Sequence, residues 1–205
     1  MFSIDPAQFA PLLDKFNQQG WVLAPHFVPA ALNQALLADL QQQQLQQAGV
    51  GRQQAHSINA DIRRDKTAWF DGQSAAQQQY LQLMQALQQA FNRAFFLGLF
   101  DFECHYARYS QGDFYHKHLD AFSGRSNRVL TTVSYLNTVS QGGELQLFSE
   151  EDQLISSIVP TAGSLILFES ERFPHQVLPA EDERYSIAGW FRRNNSLQGH
   201  IDPPN

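Results

Sequence analysis

Residues 114–120 read FYHKHLD and leave one residue between His118 and Asp120. On a strand, positions i and i+2 point to the same face. An imidazole and a carboxylate would then stand roughly 6–7 Å apart at the backbone, close enough to converge on one metal ion. His175, in the phrase RFPHQV, is available as a third ligand, and Arg184 follows in the apolar run RYSIAGWF. Two imidazoles and one carboxylate on one face of an ion leave positions open, the donor set that suits a non-haem Fe(II) oxygenase centre. An arginine in an apolar strand suits the carboxylate of a co-substrate, because guanidinium and carboxylate meet as a two-pronged pair. A lone His-x-Asp arises readily by chance in a chain with 7 His. The ordered set is more specific: His-x-Asp, a long gap, His, then Arg in a strand. His116 shares strand parity with Asp120 too, so spacing alone leaves two candidates for the first imidazole.

The rest of the chain must supply a scaffold for these residues. At 205 residues with 43% hydrophobic content and 16 Phe, it can build an aromatic-rich core. The length predicts one domain, residues 1–205: helical support and a polar loop over 1–98, a β core over 99–193, and a polar tail over 194–205. A net charge of −6 argues against a nucleic-acid groove, which needs a basic stripe. Cys104 is the single cysteine, so neither an intrachain disulfide nor a cysteine zinc site can form. The start, MFSIDPAQFA, lacks a signal-peptide pattern, and no run is long enough for a membrane helix, so the cytoplasm is the expected compartment.

Asp5 and Pro6 predict a capped helix carrying Phe9, Leu12, Leu13 and Phe16, closed by Gly20. Trp21, Val22 and Leu23 predict a short strand. Pro29 opens a second helix with Leu32, Leu36, Leu37 and Leu40 inward, extended by the glutamine-rich stretch 41–47 as a solvated helix face. Residues 56–62 read as a strand and 63–72 as a charged loop too polar for a core. Ser74 caps a long helix with an apolar face of Tyr80, Met84, Leu87, Phe91 and Phe95. From Phe102 onward short strands recur between glycine and proline turns, the pattern of a sandwich or jelly roll. His105 and Cys104 read as core residues of the first of these strands.

Two further phrases carry a resemblance: IRRDKTAWFDG at 62–72 and SYLN at 134–137. With the His-x-Asp…His…Arg set, they make residues 62–192 similar to the Fe(II)- and 2-oxoglutarate-dependent prolyl hydroxylases of the hypoxia-sensing type, in particular their bacterial relatives. The resemblance implies an α+β, mainly β fold: a double-stranded β-helix (jelly roll) supported by N-terminal helices. It implies a metal triad of His118, Asp120 and His175, choosing His118 over His116. It implies that Arg184, Tyr135 and Tyr109 serve 2-oxoglutarate and the metal. Arg63, Asp65 and Trp69 would lie on a loop that closes over a peptide, Arg128 beside the substrate and paired with Asp65, and Trp190 against the target proline. The implied cofactors are Fe(II), 2-oxoglutarate and O2, with ascorbate as a stimulant. The implied reaction hydroxylates a prolyl residue of a protein and yields succinate and CO2. Elongation factor Tu, on which bacterial relatives of this kind act, is the first candidate substrate for a monomeric enzyme binding neither nucleic acid nor membrane.

The sequence departs from the animal members at Arg64, where they carry Gly, and at Ala188, where they carry a hydroxylated residue near 2-oxoglutarate. Two other readings compete. The same chemistry could act on a small molecule or free amino acid, against which the 63–69 loop argues. A cupin-like metal-binding sensor without turnover would have no need of Arg184 and Tyr135.

Overall fold

The strongest helical signal lies in residues 75–95. In the computed structural model, which describes residues 6–49, 61–121 and 127–194, it forms α3 (Ala75–Phe95). Ser74 caps it by accepting a hydrogen bond from the Gln77 amide at 3.1 Å. Tyr80, Leu83, Met84, Leu87 and Phe91 form its buried stripe. Helix α1 (Ala10–Gln19) ends at Gly20, whose φ of 78° allows its amide to reach the Phe16 carbonyl. The N-terminal expectation needs correction. Residues 6–9 form a short 3-10 turn, and the helix proper starts after Phe9 without a side-chain cap. Asp5 lies outside the described residues.

Helix α2 (Ala30–Leu40) buries Leu32, Leu36 and Leu40, whereas Leu37 is half-buried. The glutamine stretch does not extend it. The Gln42 amide bonds to the Asp39 carbonyl in a tight turn, and Gln46–Gln47 become a short strand, β2, against residues 66–67. Gln47 Nε2 also donates to the Arg64 carbonyl at 2.8 Å. Tertiary pairing thus overrides helix propensity there.

The remaining strands are β1 (Trp21–Ala24), β3 (Lys66–Trp69), β4 (Leu99–Tyr109), β5 (Tyr115–His118), β6 (Arg128–Tyr135), β7 (Leu145–Phe148), β8 (Leu154–Ile158), β9 (Leu165–Glu169), β10 (His175–Val177) and β11 (Arg184–Arg193). They form two antiparallel sheets, ordered β1-β9-β6-β11-β4-β3-β2 and β5-β10-β7-β8, the jelly-roll arrangement. β3 corrects the expected loop: Thr67 pairs with Ala107 and Trp69 with His105, so the middle of the polar stretch, Lys66–Trp69, joins the large sheet. Asp61 and Ile62 form a turn rather than a strand, and residues 56–60 of that expectation lie outside the described residues, as does the tail from 195.

The large sheet has two buried faces. Tyr106, Leu130, Leu165, Leu167, Ile187 and Phe191 pack against the helices. Alternate residues on the other face, including Val133, Tyr135, Ile166 and Phe168, meet Leu145, Leu147 and Ile158 of the small sheet. Asp39 pins the helices to the sheet by accepting from the Tyr106 hydroxyl at 2.7 Å and from Gln77 Nε2 at 3.1 Å. Among the described residues no helix is long and apolar enough to cross a membrane.

Candidate active site

The cleft between the two sheets has a volume of about 190 Å³. His118 on β5 and His175 on β10 are directly paired across neighbouring strands of the small sheet. Asp120 lies beyond the end of β5, in a bend, so it does not share a strand face with His118 as the spacing suggested. The side chains still converge. His118 Nε2 lies 3.5 Å from Asp120 Oδ1, and His175 Nε2 lies 3.5 Å from Asp120 Oδ2. One ligand atom from each of the three falls within 4.8 Å of the others.

The atoms around the triad fix its chemistry. Nδ1 of His118 donates to the His116 carbonyl at 2.8 Å, and Nδ1 of His175 to the Phe173 carbonyl at 3.2 Å. A carbonyl can only accept, so each Nδ1 carries the proton and each Nε2 keeps its lone pair for a metal. His116 therefore contributes its backbone; its exposed ring lies beside Phe114. The Thr131 hydroxyl donates to Asp120 Oδ2 at 2.8 Å and holds the carboxylate from the large sheet. Burial pushes Asp120 upward, but the neighbouring His175 and His118 outweigh it and hold the carboxyl well below its ordinary range. Burial pushes His175 down to about 4, against the pull of Asp120. An ionised carboxylate and a neutral imidazole are the states that metal ligation requires. The donor set thus fits Fe(II) with open positions.

Deeper in the cleft, Arg184 is 1% exposed. Its Nη1 donates to Ser186 Oγ at 2.9 Å, and its guanidinium carbon lies 4.7 Å from the Tyr109 ring centre and 5.1 Å from that of Tyr135. It forms no ion pair with a carboxylate among the described residues. Arg184 Nε is buried with no hydrogen-bond partner there, and the Tyr135 hydroxyl, beside the Arg184 guanidinium, makes no hydrogen bond of good geometry there. Buried polar groups are rarely left so, and a buried cation calls for an anion. A carboxylate from a bound ligand fits both groups, which is what 2-oxoglutarate would bring. Burial raises the Tyr135 and Tyr109 hydroxyls above the ordinary tyrosine value, so both remain protonated.

Every expected site residue lines the cleft except Asp65 and Tyr135; both are fully buried, Tyr135 with its ring beside the Arg184 guanidinium. Arg63 holds Asp65 in a two-pronged pair, Nε to Oδ1 at 2.7 Å and Nη2 to Oδ2 at 2.6 Å. The expected Arg128–Asp65 pair is therefore absent. Arg128 instead binds Glu103 Oε1, with Nε at 2.9 Å and Nη2 at 2.8 Å, and stacks 3.6 Å over the Trp190 ring. The register explains this: Glu103 is the direct cross-strand neighbour of Trp190, whereas Asp65 is already neutralised by Arg63, two residues before it. The other Glu103 oxygen accepts from Arg192 Nη1 at 2.9 Å. Trp69, at 54% exposed, forms the rim.

Several lining residues were missed. Thr131, Ser186 and Tyr115 were not singled out, and His105 was assigned to the core. Tyr115 stacks on His118 with ring centres 3.6 Å apart, and the Arg63 guanidinium covers the Tyr115 ring at 4.3 Å. Strand parity could have found most of them. Tyr135 implies that Val133 and Thr131 face the cleft, Arg184 implies Ser186, Ala188 and Trp190, and Tyr109 implies Ala107, His105 and Glu103.

Comparison with known proteins agrees with this geometry. Residues 104–192 match the 2OG-Fe(II) oxygenase superfamily. The chain is 40% identical to a Pseudomonas putida prolyl-4-hydroxylase of known structure, covering 91% of this chain and all of that one, with a TM-score of 0.82. It is 26% identical to a Trichoplax adhaerens prolyl hydroxylase solved with a hypoxia inducible factor peptide fragment, covering 91% and 90% of the two chains at a TM-score of 0.76. It is 30% identical over 149 residues to human Egl nine homolog 1, a match covering 67% of this chain and 35% of that protein. The chain spans under half the length of the curated relatives that it matches. A cleft with a two-histidine, one-carboxylate triad and an arginine without a carboxylate partner among the described residues, on a fold shared with the P. putida structure over 91% of the chain, leads to one assignment: the chain belongs to the 2OG-Fe(II) oxygenase superfamily.

Proposed function

We propose that the protein is a prolyl 4-hydroxylase that uses Fe(II), 2-oxoglutarate and O2 to hydroxylate a proline in a protein substrate, yielding succinate and CO2. The observation that carries the reading is Arg184: a guanidinium 1% exposed, without a carboxylate partner among the described residues, in the same cleft as the triad. A metal-binding sensor would carry the cost of burying that charge for no return.

His118, Asp120 and His175 would hold the iron. When bound, iron would activate O2, the oxidant, with two electrons drawn from 2-oxoglutarate as it becomes succinate and CO2 and two from the C–H bond that is hydroxylated. The chain's own residues bind and orient. Arg184 and the Tyr135 hydroxyl would receive the distal carboxylate of 2-oxoglutarate, with Ser186 fixing the guanidinium. Tyr109 would close the wall between Arg184 and the metal. Trp190, held flat under Arg128, and Trp69 at the rim would make an aromatic wall for the proline ring. Arg63 and Asp65 would brace the rim and keep water out. Ascorbate is expected to stimulate turnover by keeping iron reduced. We place the enzyme in the cytoplasm, acting as a monomer, with elongation factor Tu as first candidate substrate.

The test is mass spectrometry of elongation factor Tu incubated with enzyme, Fe(II), 2-oxoglutarate and air. Gain of one oxygen on a proline, absent with His118→Ala or without 2-oxoglutarate, is expected. Consumption of 2-oxoglutarate stimulated by free proline or another small molecule, with no oxygen gained by any protein, would overturn it.

A further inference from the structure

On the cleft wall, His105 is 4% exposed and sits between two tryptophans, its ring centre 5.0 Å from that of Trp69 and 5.5 Å from that of Trp190. The register fixes the position: on β4 it is the direct neighbour of Trp69 on β3 and of Ala188 on β11. Its Nδ1 lies 3.0 Å from the Tyr106 carbonyl. That carbonyl can only accept, so Nδ1 carries the proton and Nε2 is a bare acceptor. Burial, reinforced by the charge of Arg63, pushes the imidazole down to about 4, so it is neutral at physiological pH and the tautomer holds. Nε2 makes no hydrogen bond among the described residues, so this aromatic wall carries an acceptor awaiting a donor. Trp190 supplies the converse, an Nε1–H buried without an acceptor there. One acceptor and one donor on adjoining rings are the complement of a peptide group.

Resting on the prolyl hydroxylase reading, we infer that His105 is a specificity-determining residue that accepts, through Nε2, a backbone N–H of the substrate beside the target proline. A prolyl residue has no N–H of its own, so the donor is the amide of the residue just before or just after it. The contact favours a proline within a chain over free proline, which has no flanking amide to place on Nε2. On β4, His105 stands four residues from Tyr109, the neighbour of Arg184, so the peptide contact and the co-substrate end are separated along the cleft.

The experiment uses the full-length enzyme with Fe(II) and 2-oxoglutarate. The substrate is a synthetic peptide around a candidate target proline of elongation factor Tu, with two further versions N-methylated on the amide before or after that proline. With wild-type enzyme, one of the two methylated peptides is expected to show a KM raised roughly tenfold, the weight of one hydrogen bond. His105→Phe, which keeps an aromatic ring, is expected to raise KM for the parent peptide by a similar factor and to lose the discrimination. His105→Gln, which returns an acceptor at the reach of Nε2, restores it in part. KM for 2-oxoglutarate stays at the wild-type value in both variants, which separates a recognition defect from a folding defect. The inference is overturned if His105→Phe discriminates among the three peptides as the wild type does. Failure of the underlying reading looks different: the wild-type enzyme then adds no oxygen to the parent peptide, and both fall together.

Discussion

Arg184 makes a prediction that separates ligand binding from folding. A buried cation without an anion destabilises the ligand-free protein, so Arg184→Met is expected to melt at or above the wild-type temperature while losing at least about a hundredfold in 2-oxoglutarate affinity. Calorimetric titration beside a thermal melt reads both; a variant that binds 2-oxoglutarate normally would remove the arginine from the site. His105 makes a second prediction through pH. Its folded-state value is lowered to about 4 by burial, against about 6.5 when unfolded, so between those values the unfolded chain takes up the proton first. Stability is then full above about pH 6.5 and falls as pH drops towards 4, by at most about 3 kcal/mol from this residue. Urea unfolding at pH 7 and pH 5 should show the loss, and His105→Phe should reduce it by this residue's share, the remainder belonging to His175, which burial lowers to about the same value. At this scale the sequence was uneven. The triad and Arg184 were legible because ligating residue types stand at telling intervals. His105, Ser186 and Thr131 were not, since a histidine or a hydroxyl on an apolar strand looks the same whether it faces core or cleft. Parity settles the matter only once one neighbour is assigned to a face.

The connection between helices and β core is where reading by elements failed, and physically so. Residues 63–69 are polar enough to suggest a loop, yet Arg63 neutralises Asp65 so completely that the carboxylate is fully buried. β3 then completes the large sheet, while the backbone of residues 62–64 bonds to residues 114–116 of the small one. Local composition could not reveal a charge cancelled by a residue two positions away, nor that the glutamines at 46–47 would find strand partners. The helices and the later strands were legible, because periodicity and turn residues are local signals. Residues 62–69 are thus held by backbone pairing to both sheets and by one buried ion pair, and the ion pair can be tested separately. Asp65→Asn leaves Arg63 buried without its partner, an expected cost of about 3 kcal/mol and a fall in melting temperature of about 6–12 °C. Trypsin should cut after Arg63 or Arg64 at least about tenfold faster in the variant, read by peptide mapping. Cleavage at the wild-type rate would mean that these residues are held by their strand pairing instead.

Across the whole molecule, the two buried layers are unequal. One is broad, between the large sheet and the helices; the other is small, between the sheets, and borders the cleft. The small sheet brings both histidines on adjacent strands, and Asp120 is tied by Thr131 to the large sheet. A metal ion bound by all three would therefore staple the weaker layer to the stronger one. Stability should depend on metal for that reason, and not only activity. With free Fe(II) kept anaerobically at about a hundred times its dissociation constant, the folded state gains about 2.7 kcal/mol, which for a chain of this size raises the melting temperature by about 5–10 °C. A chelator should return the protein to its metal-free value, and Asp120→Ala should show no shift at any metal concentration. Thr131→Val tests the tie between layers: losing the hydrogen bond that orients a ligating carboxylate typically weakens metal binding by about 10–100-fold. The melting shift at fixed metal should shrink accordingly, while Arg184→Met keeps the full shift because its site holds the co-substrate and not the ion. If Thr131→Val bound metal as tightly as the wild type, the triad would be organised by the small sheet alone, and the large sheet would serve only the co-substrate and the peptide.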